Sequence, residues 1–210
     1  MSSMLKTIIF DCDGVMFESR NANRRYYNFL LAHFGYPEMD ESELDFVHMH
    51  NVYDSVSHLF RNHPQTSEEL VHKFRKDNSY RPFLKYMDMA PDLLEFLDKT
   101  SSTYNLAIAT NRTDTMIPLL QEFDLGKYFG KVMTADNSRK PKPAADPLLE
   151  ILEHFDCKVN EAIYIGDSSV DEETAENCGM RLIAYRNPTL KAAYYVENFL
   201  DILSLDPFKE

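Results

Sequence analysis

Ile8-Ile9-Phe10-Asp11-Cys12-Asp13-Gly14-Val15 is the stretch that decides the fold, because a short apolar run ends in two aspartates one residue apart. Strands expose alternate residues on one face, so Asp11 and Asp13 are expected to project together and Cys12 the other way. Carboxylates about 4 Å apart, at an effective dielectric of about 20, repel by roughly 4 kcal/mol, enough to raise one pKa or recruit a metal. Such a pair is expensive unless it has a use.

Further β-rich runs recur at 104–110, 131–135, 162–165 and 181–185, and from residue 105 onward helix-period segments separate them. That alternation is what a parallel sheet with crossover helices requires, so the fold class is α/β. One helix is expected from Asp146-Pro147, carrying Leu148, Leu149, Ile151, Leu152 and Phe155. Another starts at Ala90-Pro91-Asp92, with Leu93, Leu94 and Leu97 inward. Met116, Leu119, Leu120 and Phe123 have helical spacing, and Pro118 places that helix's start close to the proline. A last helical stretch is expected after Asn187-Pro188, carrying Leu190, Tyr194, Phe199 and Leu203.

Between the first two β-runs the chain is far too long for a simple crossover and must hold structure of its own. Tyr27, Leu30, Leu31 and Phe34 form one helical stripe that stops at Gly35, and Val52, Val56, Leu59 and Phe60 form a second. Thr66-Ser67-Glu68-Glu69 reads as a capping box ahead of Leu70, Val71 and Phe74. The expected division is a core of 1–16 and 86–210 with a helical insertion at 17–85.

Composition narrows the function classes. The chain has 210 residues, 44% of them hydrophobic, enough to bury a sizeable core. Its 34 acidic against 22 basic residues give a formal charge of -12, and no Lys/Arg block offsets it, so nucleic acid and anionic membranes are not expected partners. A phosphate substrate would need a local cluster of cation, lysine and backbone N–H groups. No signal peptide or membrane-spanning helix is expected, and three widely spaced cysteines, Cys12, Cys157 and Cys178, read as reduced thiols of a cytoplasmic protein.

Four stretches carry the chemistry, and all fall at expected strand C-terminal ends or the loops after them, where open parallel sheets gather ligands. They are Asp11/Asp13/Gly14, Thr110-Asn111, Lys140-Pro141-Lys142-Pro143 and Gly166-Asp167-Ser168-Ser169-Val170-Asp171. Each alone has a plainer reading as turn, strand, solvated loop or helix cap. Together they fit phosphoryl transfer through an aspartate. Asp11 attacks phosphorus, and Asp13 protonates the departing alkoxide and then takes a proton from water. Lys140 supplies positive charge, while Thr110 adds its hydroxyl and Asn111 a backbone N–H to phosphate oxygens. Hard carboxylate ligands, Asp167 among them with Asp171 nearby, point to Mg2+.

In this order, the four motifs resemble those of the haloacid-dehalogenase-like hydrolase superfamily, in the subgroup with a helical cap inserted after the first motif. The resemblance spans nearly the whole chain. It implies a Rossmann-like sheet of strand order 5-4-1-2-3 flanked by helices, with an α-helical cap of four or five helices. It further implies that Asp11 is the nucleophile, Asp13 the acid/base, Thr110 the phosphate-binding hydroxyl, and Lys140 rather than Lys142 the catalytic lysine, because the family's KPxP pattern puts that residue before the first proline. Mg2+ is implied on Asp11, the backbone carbonyl of Asp13, and Asp167, with Asp171 supporting the metal shell or the lysine.

The second aspartate argues for phosphate esters over haloacids, so the expected activity is a Mg2+-dependent phosphatase of a small phosphorylated metabolite, similar to phosphoglycolate phosphatases. A sugar phosphomutase is the alternative. Mutase relatives carry a histidine twelve residues after the nucleophile, where this chain has Asn23. A silent binding or regulatory protein is a third reading, opposed by the intact motif set. In the cap, Arg20 and Arg24 read as ordinary solvated arginines, the alternative being contact with a second anionic group of the substrate. His48-Met49-His50 reads as ordinary histidines rather than a metal site, since i and i+2 do not face each other on a helix.

Overall fold

The computed structural model describes residues 4–50 and 52–209. The chain divides into two compact units, one of residues 1–17 and 89–210 and the other of residues 18–88. It passes between them at two short strands, β2 (Phe17–Glu18) and β3 (Asp88–Met89), which pair with each other.

The first unit is built on a six-stranded sheet of β1 (Thr7–Phe10), β4 (Asn105–Ala109), β5 (Lys131–Met133), β6 (Ala162–Gly166), β7 (Arg181–Tyr185) and β8 (Tyr194–Val196). Its spatial order is β5-β4-β1-β6-β7-β8, and every neighbouring pair is parallel. Counting β1, β4, β5, β6 and β7 as strands one to five gives 5-4-1-2-3 from the β7 side, with β8 added beyond. All four residues of β1 are buried, as a central parallel strand covered on both faces must be.

Helices α5 (Leu93–Thr100), α6 (Met116–Glu122), α7 (Asp146–His154), α8 (Ser169–Cys178) and α9 (Phe199–Ile202) flank the sheet. On one face Ile9, Ala107 and Tyr164 pack with Leu148, Ile151 and Leu152 of α7 and Ala175 of α8. Elsewhere in the core Phe10 meets Phe96, Phe129 and Phe199 at centroid distances of 6.0, 5.7 and 5.9 Å. Pro118 occupies the third position of α6, inside the first turn whose N–H groups have no helical partner, so the helix tolerates it.

The second unit contains, among the described residues, α1 (Arg20–His33), α2 (Glu41–Met49), α3 (Val52–Phe60) and α4 (Glu68–Asp77), followed by a 3-10 turn over Arg81–Tyr86. Its own apolar cluster, including Tyr26, Leu30, Leu44, Val56, Phe60 and Val71, is what lets so small a segment hold together. Arg20 and Arg24 both pair with Glu41, and Arg20 also with Asp45, so both are committed to ion pairs within this unit.

Two sequence expectations need correction, and one helix has no counterpart among them. The segment after Pro188 is not one helix: 194–196 joins the sheet beside β7, and only Phe199–Ile202 is helical. The α4 cap is Ser67, whose Oγ accepts from Leu70 N, rather than Thr66. Helix α2, with Asp40 and Glu43 forming a reciprocal capping box, went unread.

Candidate active site

The strand ends at Phe10, although Asp11 N still donates to Ile165 O of the neighbouring strand at 2.9 Å. The chain then turns tightly, with Met16 N and Phe17 N both donating to Cys12 O at 2.9 and 3.0 Å. The two aspartates accordingly do not share one partner. Asp11 accepts from Lys142 Nζ at 2.7 Å, and Asp13 is gripped on both oxygens by the Arg112 guanidinium, each at 2.7 Å. The expected repulsion is met by two separate cations.

Gly14 explains why the turn can sit here. Its φ is +80°, and a Cβ at this position would lie 2.0 Å from Asp167 Oδ2. A glycine is therefore what allows the Asp167 carboxylate to come against the β1 turn. Ligand oxygens of Asp11, Asp167 and Asp171 lie within 4.8 Å of one another, the one such metal-capable group among the described residues. His48 lies 3.5 Å from Glu18, and His50 donates from Nδ1 to Phe46 O and stacks on the Phe46 ring, so neither joins a metal-ligand set.

The structure sets Lys142 in the acidic cluster and leaves Lys140, the lysine expected there, outside it. Lys140 is exposed, and its carbonyl accepts from Ser138 Oγ. Lys142 is buried, with Nζ 2.7 Å from both Asp11 Oδ1 and Asp171 Oδ1 and 3.1 Å from the Tyr164 hydroxyl. The physical reason is tertiary. The loop is fastened at Lys142 O by Asn111 Nδ2 (3.1 Å) and at Pro143 O by Asn177 Nδ2 (2.9 Å), which delivers the second lysine, not the first, into the cluster.

Asp171 is the third residue of α8 and does the work of an anchor. Its Oδ2 accepts from Asp167 N, Ser168 N and Ser168 Oγ, while its Oδ1 takes Lys142 and the Tyr164 hydroxyl at 2.6 Å. Burial works to raise this carboxyl, but Lys142, Ser168 and Tyr164 outweigh it and hold it below the ordinary range. Asp171 thus supports the lysine, and its oxygens are saturated by protein donors.

Asp11 behaves differently. Burial pushes its carboxyl up, Lys142 opposes this, and Asp171 adds to it. Asp167 is likewise pushed up to about 7, first by burial and then by Asp171. For Lys142, burial alone would lower the pKa, yet Asp11 and Asp171 prevail and keep the ammonium protonated. Four carboxylates, Asp11, Asp13, Asp167 and Asp171, face the cations of Lys142 and Arg112, and with all four ionised the surplus is two negative charges. One divalent cation on oxygen ligands would balance it, and a donor set of carboxylates suits Mg2+ chemistry.

Thr110 is buried at the end of β4, held by its N–H to Met133 O (3.0 Å). Its Oγ1 accepts from Arg112 N at 3.1 Å, which leaves the hydroxyl proton to be directed elsewhere. Asn111, expected to offer its N–H, is seen here fastening the lysine loop through its side chain. Sequence reasoning missed Tyr164 and Arg112. The alternation of β6 puts Tyr164 on the face of Ile9 and Ala107, which was a usable signal; Arg112 has no local signal, since its partner is 99 residues away.

A parallel α/β sheet whose strand ends gather a lysine-paired aspartate, a second aspartate and a metal-capable acidic group is the fold and site of a class of hydrolases. The chain belongs to the haloacid dehalogenase-like hydrolase family, whose model matches residues 8–185, and it is thus an enzyme. Pyrophosphatase PpaX of Bacillus cereus is 26% identical over 98% of this chain and 94% of its own. The crystal structure of a HAD-superfamily hydrolase, subfamily IA, variant 1 from Geobacter sulfurreducens superposes with a TM-score of 0.89 at 34% identity, covering 97% of this chain and 99% of that one. A predicted phosphoglycolate phosphatase from Haemophilus somnus shares the fold at a TM-score of 0.81 and 20% identity, with 97% and 99% covered.

Proposed function

We propose that this protein is a Mg2+-dependent phosphatase of a small phosphomonoester, phosphoglycolate-like in size, acting through a phosphorylated Asp11. The observation that carries the reading is the buried Asp11–Lys142–Asp171 cluster with Asp167 brought against it at Gly14. Asp11, the main-chain carbonyl of Asp13, and Asp167 would hold Mg2+, which when bound supplies positive charge to the phosphate oxygens.

Asp11 is anchored through Oδ1 on Lys142, so a carboxylate oxygen is presented at a fixed angle to an incoming phosphorus. An Oδ–P bond forms as the ester P–O bond breaks, and Asp13 gives its proton to the departing alkoxide. Water then attacks phosphorus, the Asp11 Oδ–P bond breaks, and the water proton passes to Asp13. Lys142 keeps its charge next to the nucleophile throughout, and Thr110 donates its hydroxyl to a phosphate oxygen. The PpaX and phosphoglycolate phosphatase names of the relatives support a small phosphorylated substrate. Among the described residues no helix is long and apolar enough to cross a membrane, and free thiols at Cys12, Cys157 and Cys178 agree with a reducing compartment such as the cytoplasm.

Asn23 accepts a hydrogen bond from the Tyr80 hydroxyl at 2.8 Å and offers no titratable nitrogen where mutase relatives have histidine, which weighs against a sugar phosphomutase. The decisive experiment is phosphate release from a panel of phosphorylated metabolites, including phosphoglycolate, pyrophosphate and hexose 1-phosphates, with Asp11→Asn as the blank. Release should require Mg2+, stop with a chelator and be absent in Asp11→Asn. Release that survives either treatment rules out the phosphoaspartate route, and isomerised hexose phosphate in place of inorganic phosphate assigns a mutase.

A further inference from the structure

Three consecutive residues after β4 each reach a different part of the site. Thr110 presents its hydroxyl, Asn111 holds the main chain of Lys142, and Arg112 holds Asp13. The Arg112 contact differs from an ordinary surface ion pair. Its Nε and one terminal nitrogen meet the two oxygens of Asp13 in a parallel fork, both at 2.7 Å, while the other terminal nitrogen donates to Thr115 Oγ1 at 3.2 Å. The arginine side chain is only 10% exposed, against 40% for Asp13. Its main chain is pinned too, with the N–H on Thr110 Oγ1 and the carbonyl accepting from Ala135 N at 3.0 Å.

A largely buried guanidinium that is also tied to Thr115 and bound bidentately to a half-exposed carboxylate fixes the plane of that carboxylate. We propose that Arg112 is the positioning residue for Asp13, setting the direction in which the carboxylate faces the water that releases phosphate from Asp11. This rests on the phosphoaspartate reading given above and adds a residue that the motifs do not contain. In the step concerned the water O–P bond forms, the Asp11 Oδ–P bond breaks, and the water proton goes to Asp13; Arg112 acts only through the Asp13 carboxylate that it holds. Misplacement of such a base by about 1 Å costs on the order of 10²-fold in rate.

The two half-reactions separate the role from mere bracing of the fold. With p-nitrophenyl phosphate the leaving phenolate departs without a proton, so phosphorylation of Asp11 does not depend on how Asp13 is aimed. Rapid-mixing kinetics should show that Arg112→Gln forms the phosphoenzyme within about 3-fold of the wild-type rate but hydrolyses it about 10–100-fold more slowly, so that phosphoenzyme accumulates. Arg112→Lys should fall between, because a single ammonium cannot hold both oxygens in one plane. Free guanidinium ion should restore part of the hydrolysis rate in Arg112→Gly and leave the wild type unchanged. Wild-type hydrolysis rates in Arg112→Gln, equal slowing of both steps, or slowing that guanidinium does not relieve would each overturn the proposal. A wild-type enzyme that forms no phosphoenzyme overturns the phosphoaspartate reading itself, and this inference with it.

Discussion

Lys142 and Lys140 stand two residues apart in a repeated Lys-Pro, and their fates diverge completely. One ammonium sits between two buried carboxylates; the other is in solvent. Removing a partner from a buried ion pair leaves an uncompensated charge, which costs about 3–5 kcal/mol. Lys142→Ala should therefore lower the stability measured by urea unfolding by about 3 kcal/mol and abolish phosphate release, whereas Lys140→Ala should change either by little, as exposed charges do. The reverse ranking would restore the first lysine to the site. The motif Lys140-Pro141-Lys142-Pro143 fits a KPxP pattern from its first residue, and no local property separates the two amines. The choice is made by Asn111 and Asn177, both remote in sequence, which pin the loop so that only the second lysine points inward. Asp11, Asp13, Thr110 and Asp167 were legible because their chemistry is tied to strand ends; Arg112 was not, since its meaning depends on a carboxylate 99 residues earlier.

At the scale of elements, the turn after β1 is the most constrained joint. A side chain on Gly14 meets two penalties at once, a positive φ and an overlap with the Asp167 carboxylate. Gly14→Ala should lose about 2 kcal/mol or more of stability and, by pushing Asp167 away, weaken Mg2+ binding in calorimetry. A variant that binds Mg2+ as tightly as the wild type would place the cation elsewhere. The five strands of the core were readable because each is a compact β-rich run, whereas the last segment was misread for a definable reason. Leu190, Tyr194, Phe199 and Leu203 happen to be spaced for a helix, but Tyr194–Val196 finds hydrogen-bonding partners along β7, and that tertiary pairing overrides the periodicity. Helix α2 has a weak sequence signal because, among its described side chains, Leu44 and Val47 are the ones buried in the apolar cluster, a short stripe, although its Asp40/Glu43 cap is written plainly in the sequence.

At the scale of the whole molecule, a chain carrying a formal charge of -12 concentrates part of that negative charge in one acidic cluster at the strand ends. Burial first, and then Asp171, push Asp167 from an ordinary 3.8 up to about 7. Because this acid's folded pKa lies above its unfolded one, the folded state binds more protons between about pH 4 and 7. Its contribution is fully present below about pH 4 and is lost as the pH rises through 7; Asp11, also raised, acts in the same direction. A divalent cation reverses that loss by replacing the proton as the partner of the carboxylates. Thermal melts should therefore show a larger stabilisation by Mg2+ at pH 8 than at pH 5.5, and in a chelator the melting temperature should fall between those two values. Asp167→Asn, with no charge to accommodate, should flatten the metal-free pH dependence, add about 1–2 kcal/mol at pH 8, and forfeit most of the Mg2+ response. An Mg2+ shift that is equal at both pH values, or one retained in Asp167→Asn, would mean that the cation is held by other groups and that the surplus charge at the strand ends is relieved in another way.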